Sequence, residues 1–311
     1  MYHIALRAAQ HDPYLNLALE ESFLERGFRD GSRGDGSGGR ESAIFIYVND
    51  PCVVVGRNQN PWIEVAPRSS LPVLRRVSGG GAVYHDLGNL NWSFIVPRSS
   101  HDRDAELGLV ARALRRLGVE TVSGPRGGLF VAGDGPWKGS KLSGTARRFS
   151  ASRVLHHGTL LVGSDLDRLA VSLTGGIEAE SSRALPSTRS QSVNLASIVP
   201  GLRVEEAALE IARELSGSAP EAAEPFADEG YADGAARRLA SWEWTWGATP
   251  AFSLALQWSG GRARLDVRGG IVASASGPGS ERISGIAGRR FGYEIPAAAI
   301  EALEGRGVSF S

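Results

Sequence analysis

Arg75-Arg76-Val77-Ser78-Gly79-Gly80-Gly81-Ala82-Val83-Tyr84-His85-Asp86-Leu87-Gly88-Asn89 is the stretch on which the reading of this chain turns. Three successive glycines cost backbone entropy, and they are kept where a ligand must approach the main chain or where backbone N–H groups converge on an anion. The preceding arginines add charge-assisted donors suited to carboxylate or phosphate. A triple glycine alone would equally serve a tight, solvated turn. Neither Gly-x-x-x-x-Gly-Lys-Ser/Thr nor a strand-to-helix Gly-x-Gly-x-x-Gly occurs, which argues against a P-loop nucleotidase or a Rossmann dehydrogenase.

Outward from this loop the pattern is sheet with flanking helices. Residues 91–96 read as a strand, and Leu107, Val110, Leu114 and Leu117 mark one face of a helix closed by Gly118. Upstream, Asp12-Pro13 has the form of a helix cap with proline at the first position, and Leu15, Leu19 and Phe23 predict a helix over 13–26. The apolar runs 44–48 and 52–55, joined by Asn49-Asp50-Pro51, predict a hairpin that delivers Gly56-Arg57-Asn58-Gln59-Asn60-Pro61-Trp62 at its end. Residues 29–40 have too little apolar surface to offset their ordering and predict a mobile surface loop.

Downstream, 155–162 reads as a strand and 204–215 as an amphipathic helix. Composition shifts between Ser218 and Ala236, where the domain boundary is placed. This divides the chain into a catalytic domain, 1–236, and a small C-terminal accessory domain, 241–311. Beyond Trp242-Glu243-Trp244-Thr245-Trp246-Gly247, runs at 252–258, 263–267 and 271–275 predict an antiparallel meander, followed by two short helical stretches. The expected class is α/β, a mixed sheet flanked by helices, with a smaller α+β domain.

At 311 residues, two domains follow from the usual size of roughly 100–200 residues each. Hydrophobic residues at 42% and charged residues at 22% are ordinary for a chain that buries a real core. No apolar stretch has the form of a signal peptide or a membrane span, so the expected location is the cytosol, with no membrane partner. A formal net charge of +0 gives no basic field for nucleic acid. The single cysteine, Cys52, rules out an internal disulfide framework, and its β-branched surroundings predict a buried, inert thiol.

Of 34 basic residues only Lys138 and Lys141 are lysine, leaving 32 arginines. Codon bias explains the arginine excess but not why both lysines fall in one short loop. An ammonium is a compact, strongly hydrated charge with rotatable donors, which a planar guanidinium cannot imitate. Lys141-Leu142-Ser143-Gly144-Thr145-Ala146 therefore forms a second constellation, placed to neutralise a phosphate or a carboxyl oxygen under attack. Leu155-His156-His157-Gly158-Thr159-Leu160-Leu161 follows it. Adjacent strand residues point to opposite faces, so the two histidines cannot easily share one metal ion. One should line the pocket while the other packs or hydrogen-bonds.

Together these residues resemble the lipoate-protein ligase family, within the biotin/lipoate ligase superfamily. The match runs through the 13–21 helix, Gly56-Arg57-Asn58-Gln59-Asn60, the 76–89 loop, the 141–146 loop, the 156–161 strand, Ser187-Thr188-Arg189-Ser190-Gln191-Ser192-Val193-Asn194-Leu195, and the tryptophan-rich entry to the small domain. It is collinear and nearly end to end.

The resemblance implies activation of lipoate with ATP and Mg2+ to lipoyl-AMP. The lipoyl group then passes to a lysine of a lipoyl carrier domain, in 2-oxoacid dehydrogenase E2 subunits or the glycine cleavage H protein. By position, Lys141 matches the catalytic lysine. Arg76, Ser78, Gly79, Gly80, Gly81 and His85 are implied to line the acyl and adenylate pocket, with Val83 and Tyr84 near the adenine and Ala146, His157 and Thr159 close by. No metal ligands are implied residue by residue. One departure is plain: the family's Asn-Asp pair after Gly-Arg appears here as Gly127-Gly128, removing two polar side chains near the nucleotide. Two alternatives stand beside the ligase. One is a lipoyl or octanoyl transferase using a preformed acyl donor, whose best-known versions use a cysteine absent from the nucleophile position here. The other is a degenerate relative that binds lipoate without activating it.

Overall fold

The computed structural model describes residues 4–29, 41–124 and 126–306; residues 30–40 of the low-complexity stretch lie outside these. A six-stranded mixed sheet forms the centre, in the order Thr145–Phe149, Arg153–Leu161, Asn89–Pro97, Ala43–Val48, Ala5–Arg7, Glu221–Ala222. The first three pairings are antiparallel and the last two parallel. Every residue of Ala43–Val48 is buried. Ile44, Ile46 and Val48 face the helices Arg103–Arg116 and Val204–Ser216, while Ala43, Phe45 and Tyr47 face Pro13–Arg26 and Glu229–Leu239. A sheet covered on both faces reads in sequence as a continuous apolar run.

Asp12 caps the first helix by accepting from the Tyr14 and Leu15 N–H groups, and Pro13 occupies its first turn. Asp102 caps Arg103–Arg116 in the same way. Among the described residues no helix is long and apolar enough to cross a membrane.

The predicted hairpin does not form. Cys52–Val55 belongs to a separate three-stranded sheet, between Val73–Arg75 and Val83–His85, while Ala43–Val48 has both edges occupied in the central sheet. Asn49 is a tertiary junction instead of a turn residue. Its Oδ1 accepts from Asn16 Nδ2 at 2.9 Å, and its Nδ2 donates to His85 Nδ1 at 3.0 Å. Cys52 is fully buried, and desolvation pushes its thiol well up.

The segment that shifts composition is built into the large body. Glu221–Ala222 extends the central sheet, and Glu229–Leu239 runs past residue 236 while packing on the first helix. The small domain is the meander Phe252–Trp258, Gly261–Arg268, Ile271–Ser276, closed by Ser280–Ile286 and Ile295–Leu303. It recruits the strand Ser181–Ser182 at one edge and Trp62 into its core.

Candidate functional site

The glycine loop connects Val73–Arg75 to Val83–His85 in the three-stranded sheet, and Arg76 organises it. The guanidinium donates to Ser78 Oγ (3.0 Å) and to the carbonyls of Val54 (3.1 Å), Gly79 (2.6 Å) and Gly81 (2.8 Å). The loop carbonyls thus turn inward around one buried cation. Gly80 has φ +85°, and a side chain at Gly56 would sit 2.1 Å from the Gly80 oxygen, so the two backbones touch directly. Only glycine permits both the conformation and the approach.

Arg75 does something else. Fully buried, it donates to the carbonyls of Gly56, Arg57, Gln59, Trp244 and Thr245 and to Thr249 Oγ1, at 2.7–3.1 Å. Trp244 Nε1 donates back to the Arg75 carbonyl at 2.7 Å. The expectation that both arginines serve a ligand is corrected at Arg75, which ties the Gly56–Asn60 turn to the tryptophan-rich entry of the small domain. Burial lowers both guanidinium pKa values to about 10.

Beneath the loop lies a buried relay. Ser78 Oγ is 2.6 Å from His157 Nε2, and His157 Nδ1 is 2.9 Å from both oxygens of Glu20. A carboxylate only accepts, so His157 carries its proton on Nδ1, and Nε2 accepts from the serine hydroxyl. Glu20 also accepts from Ser93 Oγ (2.5 Å) and Tyr47 OH (3.3 Å). Glu20 escaped the sequence reading because a helical glutamate beside Glu21 has the form of a solvated face; its burial to 1% exposure is a tertiary fact.

His85 closes the floor. Gln10 Nε2 donates to Asn16 Oδ1 (2.9 Å), Asn16 donates to Asn49, and Asn49 donates to His85 Nδ1, leaving the proton on His85 Nε2. That Nε2 is buried with no hydrogen-bond partner among the described residues. Desolvation, then the nearby Arg76 and His157, bring its pKa down to about 3.

On the neighbouring strands, Ala146 pairs with His157, and the position of a Gly80 side chain would lie 3.3 Å from Ala146 Cβ. Lys141 opens the strand Lys141–Ser143 of a third small sheet, so it is a strand residue and not a loop residue. Its Nζ lies 3.1 Å from where a Gly144 side chain would begin, and Gly144 N–H donates to Thr159 Oγ1 at 3.3 Å. No hydrogen bond or ion pair holds that ammonium among the described residues, and burial lowers its pKa below the usual 10.5. Lys138, by contrast, is exposed and paired with Asp134 at 2.9 Å.

Val83 and Tyr84 form an edge strand. Ser187 Oγ accepts from Ala82 N–H and Gln59 Nε2, both at 2.9 Å, and so roofs the loop. The Arg126 guanidinium meets the Thr188 hydroxyl, joining the Gly127-Gly128 turn to that roof. Ser187 and Gln59 were visible only as members of motifs, since a serine in a polar loop carries no signal of its own. Ser78 is fully buried. Two open clefts, of about 360 and 430 Å³, lie elsewhere, against Trp62 and Tyr293 and against Glu21 and Tyr231.

His156 points to the opposite face of its strand from His157, as alternation predicts, and lies 2.5 Å from Glu106. Gly127 and Gly128 are buried. A side chain at Gly128 would meet the Ser143 carbonyl at 2.9 Å and Lys141 Cε at 3.5 Å. That turn offers no side-chain oxygen to a cation.

The lipoyl protein ligase A/B catalytic domain matches residues 12–216. Among solved structures, P. falciparum LipL1 in complex with lipoate has a TM-score of 0.64 at 20% identity, covering 96% of this chain and 93% of that one. A bi-partite lipoate protein ligase from T. acidophilum, described with its E2 lipoyl domain, has a TM-score of 0.59 at 23% identity, covering 78% and 95%. Lipoate-protein ligase A bound with ATP has a TM-score of 0.56 at 24% identity, covering 77% and 94%. At these identities the likeness is one of fold.

Proposed function

This chain belongs to the lipoyl protein ligase A/B catalytic-domain family, and we propose that it activates lipoate with ATP to lipoyl-AMP and transfers the lipoyl group to a lysine of a carrier domain. The observation that carries this reading is Lys141: a half-buried ammonium without a protein partner among the described residues, held over Gly144 and beside Gly128. A cation so placed balances negative charge that develops on a bound acyl phosphate. Solved relatives of this fold were captured with lipoate and with ATP, and one is described with its E2 lipoyl domain.

In this reading residues 1–236, together with the last turn of the Glu229–Leu239 helix, form the catalytic domain and 241–311 the accessory domain. Arg76 holds the loop of Gly79, Gly80 and Gly81 in shape from beneath, the loop faces the phosphate, and the Val83–Tyr84 edge strand offers backbone groups to the adenine. His85 Nε2–H is an unused donor toward the acyl carboxyl. A carboxylate resists an amine, so its oxygen first attacks the α-phosphorus of ATP, the bond to the β-phosphate breaks and pyrophosphate leaves, giving the mixed anhydride. The carrier amine attacks the carbonyl, its C–O bond to phosphate breaks and AMP leaves. The amine's proton passes to His157 through Ser78, and Glu20 stabilises the imidazolium. With Ser78 buried, the loop must open for this contact.

Magnesium fits less well. It favours carboxylates together with substrate phosphates, and Gly127-Gly128 supplies neither carboxylate nor amide. No step is therefore assigned to it. The same turn favours a second reading, a transferase that takes a preformed acyl-adenylate. Lipoate-dependent pyrophosphate exchange, run beside transfer from supplied lipoyl-AMP to a lipoyl domain, separates the two. Exchange plus transfer establishes the ligase, transfer alone the transferase, and neither activity overturns both.

A further inference from the structure

The histidine that the candidate site does not use has partners of its own. His156, on the far face of its strand, meets Glu106 from the first turn of Arg103–Arg116 and His101 from the turn just before it. Nδ1 of His156 lies 2.5 Å from one Glu106 oxygen, and Nδ1 of His101 lies 2.9 Å from the other. One donor atom from each residue falls within 4.8 Å of the other two. The side chains are 0%, 2% and 8% exposed for His156, Glu106 and His101.

We propose that His101, Glu106 and His156 bind a first-row divalent metal ion of the zinc class, clipping the start of the Arg103–Arg116 helix to the central sheet. Among the described residues no arginine or lysine pairs with the Glu106 carboxylate, whose oxygens are met by the two imidazole nitrogens. Nε2 of both rings is buried without a hydrogen-bond partner among the described residues, leaving each imidazole half-satisfied. Trp92, Phe94 and Phe149 pack around the two rings, an apolar shell that strengthens ion binding.

Two imidazoles and one carboxylate leave a fourth position open for water and select zinc over magnesium. Bonds of about 2.0–2.1 Å require each Nδ1 to move less than about 1 Å farther from its Glu106 oxygen, with each ring's proton shifting from Nδ1 to Nε2 as the ion enters. Arg103 and Leu107, from the same helix turn, line the Gly127 backbone, so a clip here would also brace that turn.

Isothermal titration of zinc chloride into chelator-treated full-length protein tests this without lipoate or ATP, and so independently of the proposed reaction. The wild type binds one equivalent, and zinc raises its Tm. His101→Ala and Glu106→Gln each weaken binding at least tenfold and abolish the Tm rise, while His11→Ala changes neither. Circular dichroism checks folding. His101, at the mouth of the cluster, carries the test should Glu106→Gln fail to fold. No stoichiometric binding by the wild type, or equal binding by folded His101→Ala, overturns the site.

Discussion

His157 Nδ1 sits 2.9 Å from both carboxylate oxygens of Glu20, and this contact fixes which histidine nitrogen is free to accept from Ser78. Glu20→Gln keeps an acceptor but removes the charge that stabilises an imidazolium. Transfer from supplied lipoyl-AMP should fall by about 10²-fold, in line with the usual contribution of a positioned base. Lipoyl-AMP affinity should be unchanged. A KM increase with normal kcat would instead assign Glu20 a binding role.

Lys141→Ala should lose on the order of 3–4 kcal/mol of transition-state stabilisation, several hundredfold in rate, with little change in Tm. Lys141→Arg should not restore it, since a planar fork cannot occupy the place of a compact ammonium. Because burial lowers the lysine's pKa, the charge disappears on the alkaline side before the usual 10.5. The transfer rate should therefore decline at a lower pH than a free lysine would dictate, and an alkaline limb absent below 10.5 would contradict this.

Arg75 is predicted to matter for stability. Arg75→Met strips donors from buried carbonyls on both sides of the domain junction and should cost at least about 3 kcal/mol in urea unfolding. Unfolding within 1 kcal/mol of wild type, by the same roughly estimated scale, would remove the junction role.

His85 sets an acid dependence. Its folded pKa of about 3 lies below the ordinary 6.5, so the unfolded chain binds the extra proton between those values. Stability supplied by the neutral ring is full above about 6.5 and is lost as pH falls toward 3, by an amount on the order of a few kcal/mol. His85→Gln should flatten the stability–pH slope across that window, read by denaturant midpoints at successive pH values.

Gly127→Asn should cost some stability, because φ +84° strains any side chain, asparagine less than most, and its Cβ would lie 3.0 Å from Thr145 Oγ1. Gly128→Asp should destabilise more, with its Cβ 2.9 Å from the Ser143 carbonyl. Thermal unfolding of the two single variants ranks them. Equal Tm losses would show that the Ser143 strand yields freely.

Alternation served the sequence reading well for His156 and His157 and was not applied to Arg75 and Arg76, which obey the same geometry. One of each pair faces the glycine loop and the other is claimed by a different neighbour. Applied to both pairs, that rule would have left one arginine at the loop, while only the tertiary contacts say that it is Arg76. The failed hairpin has another cause. Two apolar runs joined by Asn-Asp-Pro satisfy every local rule for a hairpin, but the runs are buried on both faces and find partners in different sheets.

The sequence by itself determined the helix start at Asp12, three of the central strands, the antiparallel meander and the family, and it singled out the glycine loop and Lys141 as candidates, because each depends on local spacing or on residues collinear with a known pattern. Only the tertiary structure decided that Glu20 lies under His157, that Arg75 belongs to the domain junction, and that His156 meets Glu106 and His101. Those contacts join residues 50 to 170 positions apart, and which polar group is buried beside which depends on how two covered sheet faces close, a packing outcome no local signal records.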